Sequence, residues 1–226
     1  MTQLSIDLPR LDAQGRDDFM VSTSNATAVA LVDRFPDWPD GRLALVGPEG
    51  AGKSHLVAVW AGETGARVVS AATLDAAEVA ALAEGPLAVE DVDRVAGDAV
   101  AEEALFHLWN AAAQAGRGLL LTGRGQPSDW PVKLPDLRSR LASLTPATLG
   151  DPDDMLLSVV LLKLFADRQL QVKPALLGYL LPRMERSFVA ARGMVARLDA
   201  ESLARGVPIN QGLARAVLEA EQGTAD

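Results

Sequence analysis

The chain has 226 residues, 49% of them hydrophobic and 23% charged, and its 21 basic against 30 acidic side chains leave a formal charge of −9. That composition supports one or two globular domains and excludes global disorder, while 19 glycines and 13 prolines exclude a collagen-like or low-complexity chain. The absence of cysteine removes disulfides, thiolate metal sites and cysteine nucleophiles, and the acidic balance argues against broad nucleic-acid affinity, which comes from Lys and Arg on phosphates.

Residues 1–16 show no helical period and read as an extended N-terminal arm. Their alternating Leu4, Ile6 and Leu8 suit either an edge strand or a short peptide offered to a partner. No apolar run reaches the length of a membrane helix, and the start lacks a basic segment leading into an apolar one, so a cytoplasmic protein with no membrane partner is expected.

The spacing predicts a helix from Asn25 to Phe35, with Ser24 or Asn25 as its cap and Pro36 and Pro39 ending it. Leu43–Val46 is a short apolar strand that runs into Gly47-Pro48-Glu49-Gly50-Ala51-Gly52-Lys53-Ser54 and a helical segment. The alternation continues with strand 67–70, helix 73–84, strand 87–89, helix 98–115 and strand 119–122, which implies a parallel sheet covered on both faces. After Pro146 the character becomes all-helical, with helices expected over 151–167, 174–181, 183–203 and 210–221. The expected organisation is an arm over 1–16, an α/β nucleotide-binding domain over 17–150 and a helical lid over 151–226.

The segment from Gly47 to Ser54 satisfies G-x-x-x-x-G-K-[ST] between a strand and a helix, the context in which backbone amides cradle phosphates. Gly47, Gly50, Ala51, Gly52, Lys53, Ser54 and the following His55 are the nucleotide-binding candidates. Lys53 is suited to the β- and γ-phosphates and Ser54 to Mg²⁺. Glu90 and Asp91 end the third strand, where a second metal contact and a water-activating base belong. Glu90 is the metal candidate and Asp91 the catalytic one, with the alternative that the pair caps the next segment. Their order reverses the common Asp-then-Glu arrangement, so nucleotide binding is the firmer expectation than hydrolysis. Thr122, at the carboxyl end of the fourth strand, is placed either to feel a γ-phosphate or simply to end the strand.

Five stretches carry a family resemblance: GPEGAGKSHL, LAVEDVDRVAGD with ALFHLWNAA, LLLTGRGQPSDWP, LPDLRSRL, and a helical segment opening with DPDDM. Together, over about residues 17–220, they resemble the AAA+ ATPases related to the bacterial replication initiator DnaA, and among them the Hda-like regulators. The resemblance implies an AAA+ α/β domain followed by a small helical lid, with ADP or ATP and its Mg²⁺ as ligands and ADP the expected resident. It implies that Arg140 is an arginine finger acting on nucleotide held by a neighbouring molecule, with Arg138 as fallback, and that Arg192 on a lid helix touches the chain's own nucleotide.

DnaA itself continues into a helix-turn-helix domain, and this chain stops where that would start, so direct sequence-specific DNA binding is not expected. Gln3-Leu4-Ser5-Ile6-Asp7-Leu8 is similar to the peptide by which Hda-like proteins bind the polymerase sliding clamp, with Asp7 in place of a proline and Ile6 in place of a leucine. The implied function is clamp-dependent stimulation of hydrolysis of DnaA-bound ATP, with the clamp and DnaA as partners and homo-oligomerisation open. The alternative is an autonomous AAA+ ATPase acting as a loader or remodeller; a DNA-binding adaptor and a small P-loop kinase fit the residues less well.

Overall fold

The computed structural model describes residues 19–222. Five strands, β1 (Arg42–Val46), β2 (Arg67–Ser70), β3 (Leu87–Glu90), β4 (Leu119–Gly123) and β5 (Pro146–Thr148), form one parallel sheet in the order β2-β3-β4-β1-β5. Alternation along β1 divides the core. Leu43 and Leu45 join Val29, Val32, Leu56, Val57 and Trp60 from α1 (Ala26–Val32) and α2 (Lys53–Thr64) on one face. Ala44 and Val46 face α5 (Ala99–Gln114) and α6 (Pro135–Ala142), whose Leu105, Leu108, Leu137 and Leu141 are buried on the other. With both faces covered, the central strands are apolar throughout, which is why a continuous run rather than an alternating one marks them in the sequence.

The C-terminal helical region comprises α7 (Asp154–Asp167), α8 (Pro174–Leu180), α9 (Phe188–Arg205) and α10 (Gln211–Gln222). It has its own apolar cluster, with Leu161, Phe165, Leu180, Met194, Val195, Leu198 and Ala214 buried. Each fully buried aliphatic or aromatic side chain stabilises the fold by about 1.5–3 kcal/mol.

Three expectations need correction, and one strand adds to them. The predicted helix 73–84 is two 3₁₀ turns, Ala71–Thr73 and Ala76–Glu78, followed by the single turn α3 (Val79–Leu82). Its alanines favour helix, but Ser70 and Asp75 accept hydrogen bonds from Ala72 and Ala77 N–H and start new turns. The helix predicted from residue 183 begins at Phe188, because Ser187 Oγ caps it by accepting from Ala190 N–H at 3.0 Å. Asn25 does not cap α1: its side chain accepts from Ser22 N–H at 2.8 Å and donates to Met20 O at 2.9 Å, knitting the approach to the helix instead. Strand β5 was not expected, since three residues opening on a proline carry no periodicity.

Candidate functional site

The parallel register brings the carboxyl ends of three strands together. Val46 pairs with Gly123 and Val89 with Leu121, so Gly47, Glu90, Asp91 and Thr122 gather at one edge of the sheet, and Gly47 N–H donates to Gly123 O at 3.3 Å. The phosphate-loop motif leaves β1 here. Gly50 and Gly52 have φ of 75° and 96°, a region glycine enters without penalty. A Cβ on Gly47 would stand 2.6 Å from the Leu149 carbonyl oxygen, so the loop also needs glycine for close approach. Helix α2 begins at Lys53, and its first-turn amides have no acceptor within the helix, which makes that end an anion site. The Lys53 ammonium donates to Gly47 O and Pro48 O at 2.8 Å each. Burial holds its pKa below the ordinary lysine range, against the opposing pull of Asp91, Asp93 and Glu49. Ser54 is exposed beside it, and the His55 ring meets Phe19 edge-on at 5.1 Å.

Glu90 Oε1 is buried with no hydrogen-bond partner among the described residues. Asp91 has a left-handed backbone (φ 60°), and its N–H donates to Thr122 Oγ1 at 3.1 Å. Thr122 is 1% exposed, and its hydroxyl oxygen accepts from the amide of the turn that carries Asp91. Among the described residues no group of three or more His, Asp or Glu side chains could hold a metal alone. The donors present, an exposed serine hydroxyl at a helix N-terminus and an unpartnered carboxylate oxygen at the end of β3, fit in kind Mg²⁺ bound jointly with nucleotide phosphates.

The C-terminal helical region touches this loop directly. Phe188 N–H donates to Gly50 O at 3.0 Å, and a Cβ on Gly52 would lie 2.8 Å from Phe188 Cε2. Between the loop tip and α9 runs a cleft of about 580 Å³, bounded by Glu49, Glu185, Val189, Gly193 and Arg197 among others. Arg192, the expected lid contact, is exposed and does not line this cleft. Successive helix residues turn by 100°, which puts position 192 about 130° around α9 from the face that carries Val189, Ala190, Gly193, Met194 and Arg197. Arg197 is the α9 arginine on the cleft side. Asp153, which caps α7 through Leu156 N–H at 2.8 Å and accepts from Thr23 Oγ1 at 3.2 Å, ties the first lid helix to the segment before α1.

Sequence reasoning missed the charged ring around the loop. Glu49 faces Arg94 and Arg124, which also reach Asp91 and Asp93 respectively. No local pattern announces it, because Glu49 follows β1, Asp91, Asp93 and Arg94 belong to the cap and single turn of α4 (Val92–Val95) after β3, and Arg124 follows β4, segments that only the sheet order makes adjacent.

Arg140 lies elsewhere. It donates to Asn110 Oδ1, its guanidinium sits 4.6 Å over the Phe106 ring, and it is close enough to Arg42 to act on it electrostatically. Arg42 opens β1, at the opposite end of that strand from the phosphate loop and roughly 13 Å from Val46. Arg138 is exposed on the same helix. Gln3, Leu4, Ser5, Ile6, Asp7 and Leu8 lie outside the described residues. Among the described residues no helix is long and apolar enough to cross a membrane.

No protein-family model matches the chain. Among solved structures it is similar to domain III of the replication initiation protein DnaA from Thermotoga maritima, with 16% identity and a TM-score of 0.78 over 94% of this chain and 98% of that one. It is similar to AMPPCP-bound DnaA from Aquifex aeolicus, with 17% identity and a TM-score of 0.68 over 81% of this chain and 64% of that one. A third similarity is to the Thermotoga maritima RuvB Holliday junction branch migration motor, with 19% identity and a TM-score of 0.62 over 79% of this chain and 61% of that one. The chain spans just under two-thirds of the latter two proteins. It has the AAA+ fold, a five-stranded parallel sheet flanked by helices and followed by a helical region.

Proposed function

We propose that this chain is a nucleotide-binding AAA+ regulator of replication initiation, which docks on the DNA-loaded sliding clamp through Gln3–Leu8 and presents Arg140 to ATP held by a neighbouring DnaA. The fold likeness to DnaA domain III over nearly the whole chain supports a replication AAA+ protein. The observation that carries the finer reading is the setting of Arg140. It stands at the far end of β1 from the chain's own phosphate loop, and its partners Asn110 and Phe106 are both neutral. A guanidinium held by an amide and a ring keeps its full charge for phosphate oxygens, and distance from its own loop leaves it to serve a second molecule.

The chain's own nucleotide, held by the loop glycines, Ala51, Lys53, Ser54 and His55, organises the lid. ADP is the favoured resident, and Arg197 is the lid contact in place of Arg192. A nucleotide of this kind supplies a phosphate chain and, with Mg²⁺, a metal that Ser54 and Glu90 would share with it. Asp91 is the candidate base, fixed through the Thr122 hydroxyl.

The likeness to the RuvB motor keeps one other reading in play, an ATPase that cycles its own nucleotide. Two measurements on the purified full chain separate them. The regulator reading expects hydrolysis of DnaA-bound ATP to rise when the chain and loaded clamp are both present, with clamp binding lost on removal of residues 1–8. Phosphate release by the chain alone that collapses in Lys53→Ala and Asp91→Ala, without stimulation of DnaA, would replace that reading with the autonomous one.

A further inference from the structure

Glu49, the third residue of the phosphate-loop motif, stands between two arginines delivered by two other strand ends. Its Oε1 is 3.6 Å from Arg94 Nη2 and its Oε2 is 4.0 Å from Arg124 Nη1. Each arginine is shared with a carboxylate after β3: Arg94 Nε lies 3.7 Å from Asp91 Oδ2, and Arg124 Nε donates to Asp93 Oδ2 at 2.8 Å. The Lys53 ammonium donates to Gly47 and Pro48, the two residues that precede Glu49. Because the motif lysine reaches the β- and γ-phosphates, the third phosphate of a nucleoside triphosphate would arrive at this end of the loop. There it would meet Glu49, Glu90, Asp91 and Asp93 against Lys53, Arg94 and Arg124, with both guanidiniums already engaged. A diphosphate carries one fewer charged group into that ring.

We propose that Glu49 makes this site select nucleoside diphosphate over triphosphate, by occupying Arg94 and Arg124 and by placing its own negative charge beside the γ-phosphate position. The inference rests on the nucleotide-site reading above and assigns its specificity to one residue. The Glu49 side chain is 69% exposed, so it can be changed without disturbing the core, and once it is neutral the two half-exposed arginines each keep a single carboxylate partner, Asp91 or Asp93. Glu49→Gln keeps the shape and removes only the charge.

The test is the affinity of the full chain for ADP and for AMPPCP, each with Mg²⁺, measured by titration calorimetry on wild type and on Glu49→Gln. The ratio of the two dissociation constants shifts toward the triphosphate analogue by about tenfold, with the larger change in the AMPPCP arm. Adding Arg94→Gln to Glu49→Gln gives back most of that shift, because the released guanidinium is then missing. A ratio that stays within about twofold of wild type, or equal gains for both nucleotides, overturns the assignment of Glu49 while leaving the nucleotide site intact. Failure of the wild-type chain to bind either nucleotide removes the site reading and this inference together.

Discussion

The amide of Phe188, the first residue of α9, donates to the carbonyl of Gly50 at 3.0 Å, so the C-terminal helical region is bonded to the backbone of the glycine loop. The Phe188 ring then covers Gly52, and Ser187 abuts Gly50. Whatever enters the loop is therefore felt at the start of α9, and movement of α9 is felt in the loop.

This contact predicts the behaviour of Gly52→Ala. The new Cβ would lie 2.8 Å from Phe188 Cε2 on a backbone with φ of 96°, so the substitution carries a steric and a conformational penalty. Urea unfolding should show a loss of about 1–3 kcal/mol. Measured in a Phe188→Ala background, Gly52→Ala should lose its steric part and cost only the roughly 1 kcal/mol owed to the backbone. Strict additivity of the two substitutions would show that ring and loop do not touch.

Thr122 gives a prediction about geometry around Asp91. Thr122→Val keeps the volume but leaves the Asp91 N–H without the acceptor it now has at 3.1 Å. Denaturation should report about 1–3 kcal/mol of lost stability, whereas Thr122→Ser should retain most of it. Equal stability of the valine and serine variants would contradict this role.

A pH dependence follows from Glu102, which is 3% exposed and accepts from Gly97 N–H at 2.6 Å, Lys133 N–H at 3.0 Å and Leu134 N–H at 2.8 Å. Burial, the largest single influence, pushes its pKa up, but these three N–H groups and the Lys133 charge outweigh it and hold the carboxyl below its ordinary value. A pKa lower in the folded than in the unfolded chain stabilises the fold at neutral pH. That contribution is lost as pH falls from roughly 4 through the folded value. Asp153 is lowered as well, chiefly by Leu156 N–H, and acts in the same direction. Glu102→Gln should cost about 1–3 kcal/mol at pH 7 and flatten the acid limb of the stability curve. An unchanged acid limb would assign that loss to other groups.

Lys53→Ala tests the loop as a ligand site. ADP at a hundredfold excess over its dissociation constant should stabilise the wild-type chain by about 2.7 kcal/mol, seen as a raised Tm. The variant should lose most of that rise at the same concentration. A Tm that ADP raises equally in both chains would place the ligand elsewhere.

The alternation of apolar strands with helices, the phosphate loop and the all-helical C-terminal region were legible in the sequence because each is written locally. Leu43–Val46 followed by a glycine loop needs no tertiary information to be read as a buried strand entering an anion site. What was not legible is set by rotation and adjacency. Arg192 and Arg197 are both arginines on one helix, and only the register of α9 against the loop decides that 197 faces the cleft. Glu49, Arg94 and Arg124 follow three different strands, and only the order β3-β4-β1 makes them neighbours. The hydrogen bond from Asp91 N–H to Thr122 Oγ1 joins the ends of two strands that are adjacent only in the folded sheet. The Ser187 cap was present in the sequence as a serine before an apolar run, and it was missed because the preceding proline offered an earlier start.

The most direct measurement is the rate of hydrolysis of DnaA-bound ATP with DNA-loaded clamp and either the wild-type chain or Arg140→Ala. The account predicts that wild type stimulates hydrolysis and that Arg140→Ala loses about 10³-fold or more of the stimulated rate, the scale of a finger supplied in trans. It also predicts that Arg140→Ala keeps its own ADP affinity and fold, since the side chain is only partly buried and its hydrogen bond and ring contact are with Asn110 and Phe106 of α5. Stimulation by Arg140→Ala equal to that of the wild type would contradict the account.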